Sequence, residues 1–172
     1  ETIVDTIGNV IIRKPASPGY ENHPGVILQG HMDMVPQKNN DTVFDFENDP
    51  IEAYVDGDWV TAKGTTLGAD NGIGVAAAMA ILADKNVVHP PLEVLITVDE
   101  ETGLYGAFAL EGGVLQGKTL LNLDSESEGE LYIGCAGGVD TTATFDYIPV
   151  EVEDGDVAVK VSLTGCKGGH SG

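Results

Sequence analysis

The chain has 172 residues, with 28 Asp and Glu against 8 Lys and Arg, giving a formal net charge of −20 when its four histidines are neutral. So acidic a surface repels a polyanion and excludes nonspecific nucleic-acid binding, while the longest plainly apolar stretch, residues 75–83, falls far short of the roughly 20 residues a membrane-spanning helix needs. A hydrophobic content of 42% is enough to build a core and excludes a disordered chain. The sequence opens on Glu1, with its first methionine at Met32 and no basic-then-apolar leader, and it closes inside a glycine-rich run. It therefore reads as a fragment of a larger cytoplasmic protein. Cys135 and Cys166 match no metal-ligand pair such as Cys-x-x-Cys and read as reduced thiols.

In chain order, Gly8-Asn9 lies between two β-rich runs within residues 2–13 and predicts a hairpin, because both residues tolerate positive φ. Residues 14–24, with three prolines and Gly19, predict a loop. The apolar run at 25–30 predicts a strand buried on both faces, with His31 and Asp33 at its carboxyl end. A second hairpin is expected around Asp56-Gly57. The Ala, Met, Ile and Leu of residues 72–83 favour a buried helix. Residues 92–98 form another buried-strand candidate running into Asp99-Glu100-Glu101, residues 104–111 a short helix, and residues 119–123 a third such strand ending at Asp124. Strand, helix, strand, short helix, strand is the order of an α/β fold, a mostly parallel mixed sheet flanked by helices. After Gly134-Cys-Ala-Gly-Gly138 the pattern alternates at 139–147 and 157–163 around an acidic loop, which predicts antiparallel structure with one solvated face. The domain boundary is accordingly placed at residues 137 and 138.

The chemistry collects at the strand ends. His31-Met-Asp33 puts a histidine and a carboxylate on the same side of an extended chain, where the carboxylate can fix the imidazole tautomer and raise its basicity as a ligand. Alone, such a histidine is an ordinary structural residue. Asp70, just before a helix, could equally be an N-cap. Glu100 and Glu101, behind Asp99, crowd acids against a buried strand, where repulsion and burial raise a pKa unless a cation intervenes. An isolated acidic pair is otherwise a solvated turn. Asp124 ends the third strand in the same way, with Glu126 and Glu128 read as solvated loop charges. These sites all fall at predicted element ends on one side of one sheet, where open α/β sheets bind ligands. One histidine with several carboxylates and no cysteine suits zinc, cobalt or manganese rather than calcium. An aspartate between two metals with a glutamate beside them is a hydrolytic arrangement. The run Gly165-Cys-Lys-Gly-Gly-His170 lacks the order of a phosphate loop. His23 and His89, beside prolines, read as structural or exposed.

The segments Gln29-Gly-His31-Met-Asp33-Met-Val-Pro36, Gly64-Thr-Thr-Leu-Gly-Ala-Asp70-Asn-Gly-Ile-Gly74, Asp99-Glu100-Glu101-Thr-Gly103, Asn122-Leu-Asp124-Ser-Glu126 and Gly168-Gly-His170-Ser-Gly172 resemble the dinuclear zinc exopeptidases that include carnosinases, aminoacylases and carboxypeptidase G. The resemblance runs along essentially the whole chain. Within the family, Val35-Pro-Gln-Lys-Asn-Asn-Asp41, the long Gly64 to Gly74 motif and Gly134-Cys-Ala-Gly-Gly138 resemble the branch that cleaves Xaa-His dipeptides. The resemblance implies an incomplete catalytic domain over residues 1–137, then the start of an α+β lid domain over residues 138–172. It implies two divalent metal ions, zinc with cobalt or manganese as alternatives. His31 and Asp124 would hold one ion and Glu101 the other, with Asp70 bridging across a cis bond to Asn71. Asp33 would orient His31, and Glu100 would be the base that activates a metal-bridging water. His170 would bind the substrate carboxylate or the oxyanion, in a homodimer formed through the lid. The family supplies a further histidine ligand from beyond residue 172 and runs to more than twice this length, so the fragment is expected to be inactive alone. The implied substrate is a small peptide, Xaa-His dipeptides and carnosine-like ones included. A related tripeptidase, carboxypeptidase or N-acyl amino-acid hydrolase, and a noncatalytic acidic metal-binding module, are the competing readings.

Overall fold

The computed structural model describes residues 1–135, 137–139 and 141–165. The chain forms two compact units, Glu1–Glu128 and Gly129–Gly172. The first contains β1 (Thr2–Val4), β2 (Val10–Lys14), β3 (Val26–His31), β4 (Ala53–Asp56), β5 (Trp59–Ala62), α1 (Ala69–Ala83), β6 (Leu92–Thr97), α2 (Tyr105–Ala109) and β7 (Thr119–Asn122). Five strands make one mixed sheet in the order β1-β2-β6-β3-β7, and β4 and β5 pair separately as the hairpin expected around Gly57. β3 runs parallel to both β6 and β7, whereas β1–β2 and β2–β6 are antiparallel. The β3–α1–β6 passage is the crossover connection that parallel neighbours require. The three parallel strands therefore end at one edge of the sheet.

Every residue of β6 is buried, because it is the central strand and both of its faces are covered. Its alternation sends Leu92, Val94 and Ile96 to one face with Leu28 and Ala78, against which Val75, Ile81 and Leu82 of α1 pack. Leu95 joins Ile11 and Ile27 on the other face, under Leu110, Val114 and Leu115. Each fully buried aliphatic side chain contributes about 1.5–3 kcal/mol. Two sequence expectations are corrected here. β7 is exposed at all four positions, at the edge of the sheet that the described residues form. α1 buries only Asn71, Gly74 and Ala78, leaving Ile73 and Met79 exposed, because a single helical stripe meets the sheet.

A third correction concerns the alternating segments at 139–147 and 157–163. Among the described residues of the second unit there is no strand, and Val139, Phe145, Ile148, Val159 and Leu163 are all exposed. An alternating pattern makes a stable strand only where its apolar face has something to cover it.

Glu93, inside β6, is a buried carboxylate with a complete set of partners. Across the β2–β6 ladder it faces Arg13, whose Nε donates to Oε1 at 3.0 Å. Oε2 accepts the N–H groups of Gln116 and Gly117 at 2.8 and 2.6 Å, tying the loop before β7 to the sheet. Burial pushes the Glu93 carboxyl up, but these bonds outweigh it and hold it below the ordinary glutamate value. A depressed acid stabilises the fold in full above its unfolded pKa and loses that contribution as the pH falls through the native one. Glu93→Gln sets an amide donor against existing donors and is expected to cost about 2 kcal/mol at pH 7. In urea melts the gap between wild type and variant should shrink as the pH falls below about 4.5. A gap that persists unchanged at acid pH would contradict the charge-based account.

Candidate metal centre

Four segments deliver the site to the carboxyl edge of the parallel strands. β3 ends on His31, with Asp33 two residues on. β6 is followed by Val98 and the turn containing Glu100 and Glu101. β7 is followed by Leu123 and Asp124, and the first turn of α1 brings Asp70. Parallel pairing sets the levels: Gly30 lies beside Ile96 and His31 beside Thr97, while Gln29 lies beside Asn122.

His31 is 1% exposed and forms the hub. Its Nδ1–H donates to the Asp33 carbonyl at 3.0 Å, which turns Nε2 toward the acids. Around Nε2 stand Asp70 Oδ1 at 3.2 Å, Asp124 Oδ1 at 3.5 Å and Glu100 Oε2 at 4.0 Å. Two groups have geometry suited to a cation, His31 with Glu100 and Asp124, and His31 with Asp70 and Glu101, their ligand atoms lying within 4.8 Å of one another. His31 is common to both groups, so the geometry does not by itself divide the residues between two ions. His170 lies outside the described residues.

The electrostatics fit a divalent cation. Burial raises the Asp124 carboxyl to about 6, reinforced by its hydrogen bond with Asp70 and by the charges of Asp70 and Glu100, against the opposing pull of His31. Burial would lower His31, but Asp124, Asp70, Glu100 and Asp33 together raise it. Acids this close cannot all ionise without a positive charge among them, and imidazole with carboxylates is a donor set that zinc accepts.

Asp33 meets His31 through both its side chain and its main chain. Its carboxylate is 3.5 Å from His31 Nδ1, and its backbone carbonyl bonds the imidazole. Oδ1 and Oδ2 accept the N–H groups of Glu100 and Glu101, each at 3.1 Å. One residue thus holds the imidazole through its main chain and the two-glutamate turn through its side chain. Asp70 is not the N-cap of α1. α1 has Gly68 as its N-cap with no side-chain cap bond, Asp70 is non-helical, and its Oδ1 faces His31. The Asp70–Asn71 peptide bond is cis.

Asn71, expected from the sequence only as the residue across the cis bond from Asp70, is 3% exposed and ties three of the four segments together. Its Oδ1 accepts the His31 N–H at 3.4 Å and its Nδ2 donates to the Leu123 carbonyl at 2.9 Å. A Cβ on Gly30 or Gly74 would collide with its carboxamide, so both glycines keep that space open. The only trace in the sequence is an amide between Asp70 and Gly72, which nothing local distinguishes from turn chemistry. Of the remaining histidines, His23 stacks on Tyr20, and buried His89 donates from Nδ1 to the Pro90 carbonyl.

The chain matches peptidase family M20/M25/M40 over residues 27–162, a span that includes His31, Asp70, Glu100, Glu101 and Asp124. It belongs to that family. It is 60% identical over 168 residues to the cytosol non-specific dipeptidase of Escherichia coli, covering 98% of this chain and 35% of that protein. Its structure is similar to that of aminoacylhistidine dipeptidase from Vibrio alginolyticus, with a TM-score of 0.76 and 63% identity over 78% of this chain and 28% of that one. It also resembles aminopeptidase PepT from Bacillus cereus, with a TM-score of 0.59 and 30% identity over 74% and 34% of the two chains. The chain therefore spans about a third of the length of the E. coli relative. Its mixed sheet with flanking helices is the catalytic-domain fold of M20 peptidases in part.

If the Asp33 carboxylate sets the two-glutamate turn, Asp33→Asn leaves one of the two N–H groups facing an amide donor. Zinc affinity should fall about 10- to 100-fold, measured by calorimetric titration, with little change in melting temperature. Unchanged affinity would contradict the role.

Proposed function

We propose that the protein is a metal-dependent dipeptidase that hydrolyses Xaa-His dipeptides, carnosine-like ones included. The observation that carries this reading is the convergence of His31, Asp70, Glu100, Glu101 and Asp124 on one sheet edge in a chain of the M20 family. Support for the substrate class comes from the relatives, which are a non-specific dipeptidase and an aminoacylhistidine dipeptidase. In this reading the site takes two divalent ions, zinc with cobalt or manganese as alternatives. His31, Asp70, Glu101 and Asp124 would be the protein ligands, with Asp70 serving both ions. The ions, when bound, lower the pKa of water and polarise the scissile carbonyl.

The chain's own residues do the rest. Glu100 takes a proton from the attacking water and passes it to the leaving amine. The Asp33 carbonyl fixes the His31 tautomer, leaving Nε2 free to ligate. His170 binds the substrate carboxylate or the oxyanion of the tetrahedral intermediate. We place the catalytic part at residues 1–137 and the beginning of a lid at residues 138–172, with pairing of two copies through the lid and a cytoplasmic location. The name of the E. coli relative supports that location. Among the described residues no helix is long and apolar enough to cross a membrane.

Two substitutions in the full-length protein separate base from ligand. Glu100→Ala should lower kcat by about a hundredfold or more while zinc content by mass spectrometry stays near that of wild type. Asp70→Ala should remove metal and activity together. A Glu100→Ala enzyme with near-normal turnover would end the base assignment, and full metal content in Asp70→Ala would end the bridge.

The substrate class is tested by a panel of Xaa-His dipeptides, other dipeptides, tripeptides and N-acyl amino acids. We expect the Xaa-His dipeptides to be cleaved with the highest kcat/KM and cleavage to stop on chelation and return with zinc. Preference for tripeptides or acylated amino acids would point to the related amidases instead.

A further inference from the structure

Asn9 is fully buried at 0% exposure, although its sequence context suggests only a hairpin turn. Every hydrogen-bonding group of its carboxamide is engaged in one direction. Nδ2 donates to Asp5 Oδ2 at 2.7 Å and to the Gly106 carbonyl at 2.8 Å. Oδ1 accepts the Val98 N–H at 3.1 Å. The orientation of the amide is fixed by its neighbours: Asp5 Oδ1 already gathers the N–H groups of Ile7, Gly8 and Asn9, so an acceptor surface faces the Asn9 NH2.

Val98 and Gly106 are the two ends of the segment that carries Glu100 and Glu101. Gly106 N–H also donates to the Val98 carbonyl at 3.1 Å, so the segment is a loop closed at its base, and the Asn9 side chain bonds both sides of that base. A Cβ on Gly106 would collide with Asn9 Oδ1 and the Val98 backbone, which leaves glycine as the residue that permits this approach. Within the loop Asp99 and Leu104 have φ of 51° and 60°, left-handed conformations that non-glycine residues adopt only where surrounding contacts hold them. Sheet order supplies the other half of the argument. β6 lies between β2 and β3. Asn9 immediately precedes β2, and Asp33 closely follows β3. The turn at the end of β6 is thus held from both neighbouring strands, by Asn9 at its base and by Asp33 at the Glu100 and Glu101 N–H groups.

We infer that Asn9 is a positioning residue for the metal centre, setting the height and orientation of the Glu100–Glu101 turn without touching metal or substrate. The inference rests on the metal reading proposed above. The carboxamide is specifically required: an aspartate would place oxygen against Asp5 and the Gly106 carbonyl, and an alanine would leave the Val98 N–H and the Gly106 carbonyl without their partner.

The test compares Asn9→Ala and Asn9→Asp with Glu93→Gln, a structural control inside β6, near the end away from the Glu100–Glu101 turn. Each full-length protein is titrated with zinc alone by calorimetry and with cobalt(II), whose visible absorption reports ligand geometry, and each is melted. Both Asn9 variants should bind zinc about 10- to 100-fold more weakly and change the cobalt spectrum. Glu93→Gln should lower the melting temperature yet keep wild-type affinity and spectrum. Where Asn9→Ala does not fold, Asn9→Asp, which keeps the volume and the acceptor for Val98, decides. Folded Asn9 variants with wild-type affinity and spectrum, or an equal loss of affinity in Glu93→Gln, overturn the positioning role. A wild-type protein that binds neither zinc nor cobalt overturns the metal reading and this inference with it.

Discussion

A buried imidazole surrounded by carboxylates is the constraint on which the rest of the structure depends. Two like charges about 4 Å apart repel by roughly 4 kcal/mol at the effective dielectric of a protein surface, and His31 gathers Asp70, Glu100 and Asp124 within 4.0 Å of one nitrogen. Left to themselves these side chains would turn outward into water. What keeps them converged is that each begins on a different rigid element, at a height dictated by strand register. The parallel ladders are thus a positioning device as well as a core, because shifting β6 or β7 along β3 would pull its carboxylates away from His31.

Register alone places backbone, and the last few ångströms are settled by side chains bonded to main-chain groups. Asp33, Asn71 and Asn9 each connect segments distant in sequence: Asp33 to the Glu100–Glu101 turn, Asn71 to His31 and Leu123, Asn9 to Val98 and Gly106. Two of the three need glycine opposite them, Gly30 and Gly74 around Asn71 and Gly106 against Asn9. The glycines of this chain therefore do more than make turns. They admit amide side chains close enough to the backbone to hold it, and such buried, hydrogen-bonded polar groups specify one arrangement where apolar packing would allow several.

The sheet, its helices and both hairpins could be read from the sequence because β3 and β6 are continuous apolar runs and α1 is long and rich in alanine. The acids His31 gathers could be read because each sits at the end of such an element. What escaped were properties that arise only between elements. β7 looks like β3 in sequence, and its exposure follows from sheet order, which no local pattern encodes. The segments at 139–147 and 157–163 alternate like strands, yet alternation states which face would be buried and not whether anything buries it. Asn9 and Asn71 look like turn residues, and their bonds cross 89 and 97 positions in one case and 40 and 52 in the other. Asp33 was expected beside His31, and what the sequence did not show is that its carbonyl also bonds the imidazole while its carboxylate accepts two N–H groups of the Glu100–Glu101 turn.

The contrast between Glu93 and Asp124 separates structural acid from functional acid within one sheet. Both carboxylates are withdrawn from water, and burial pushes both upward. For Glu93 the chain supplies its own compensation, a guanidinium and two backbone N–H groups, and the net shift is downward. For Asp124 the surrounding groups are mainly other acids, His31 only partly offsets them, and the net shift is upward to about 6. A fold able to neutralise a buried carboxylate at the amino-terminal end of its parallel strands leaves the carboxyl end with a deficit of positive charge. Stability alone gives no reason for that deficit, since apolar residues or one more arginine would remove it. A cation supplied from outside does give a reason, because binding then converts mutual repulsion into shared coordination and stabilises the folded chain in proportion to its affinity.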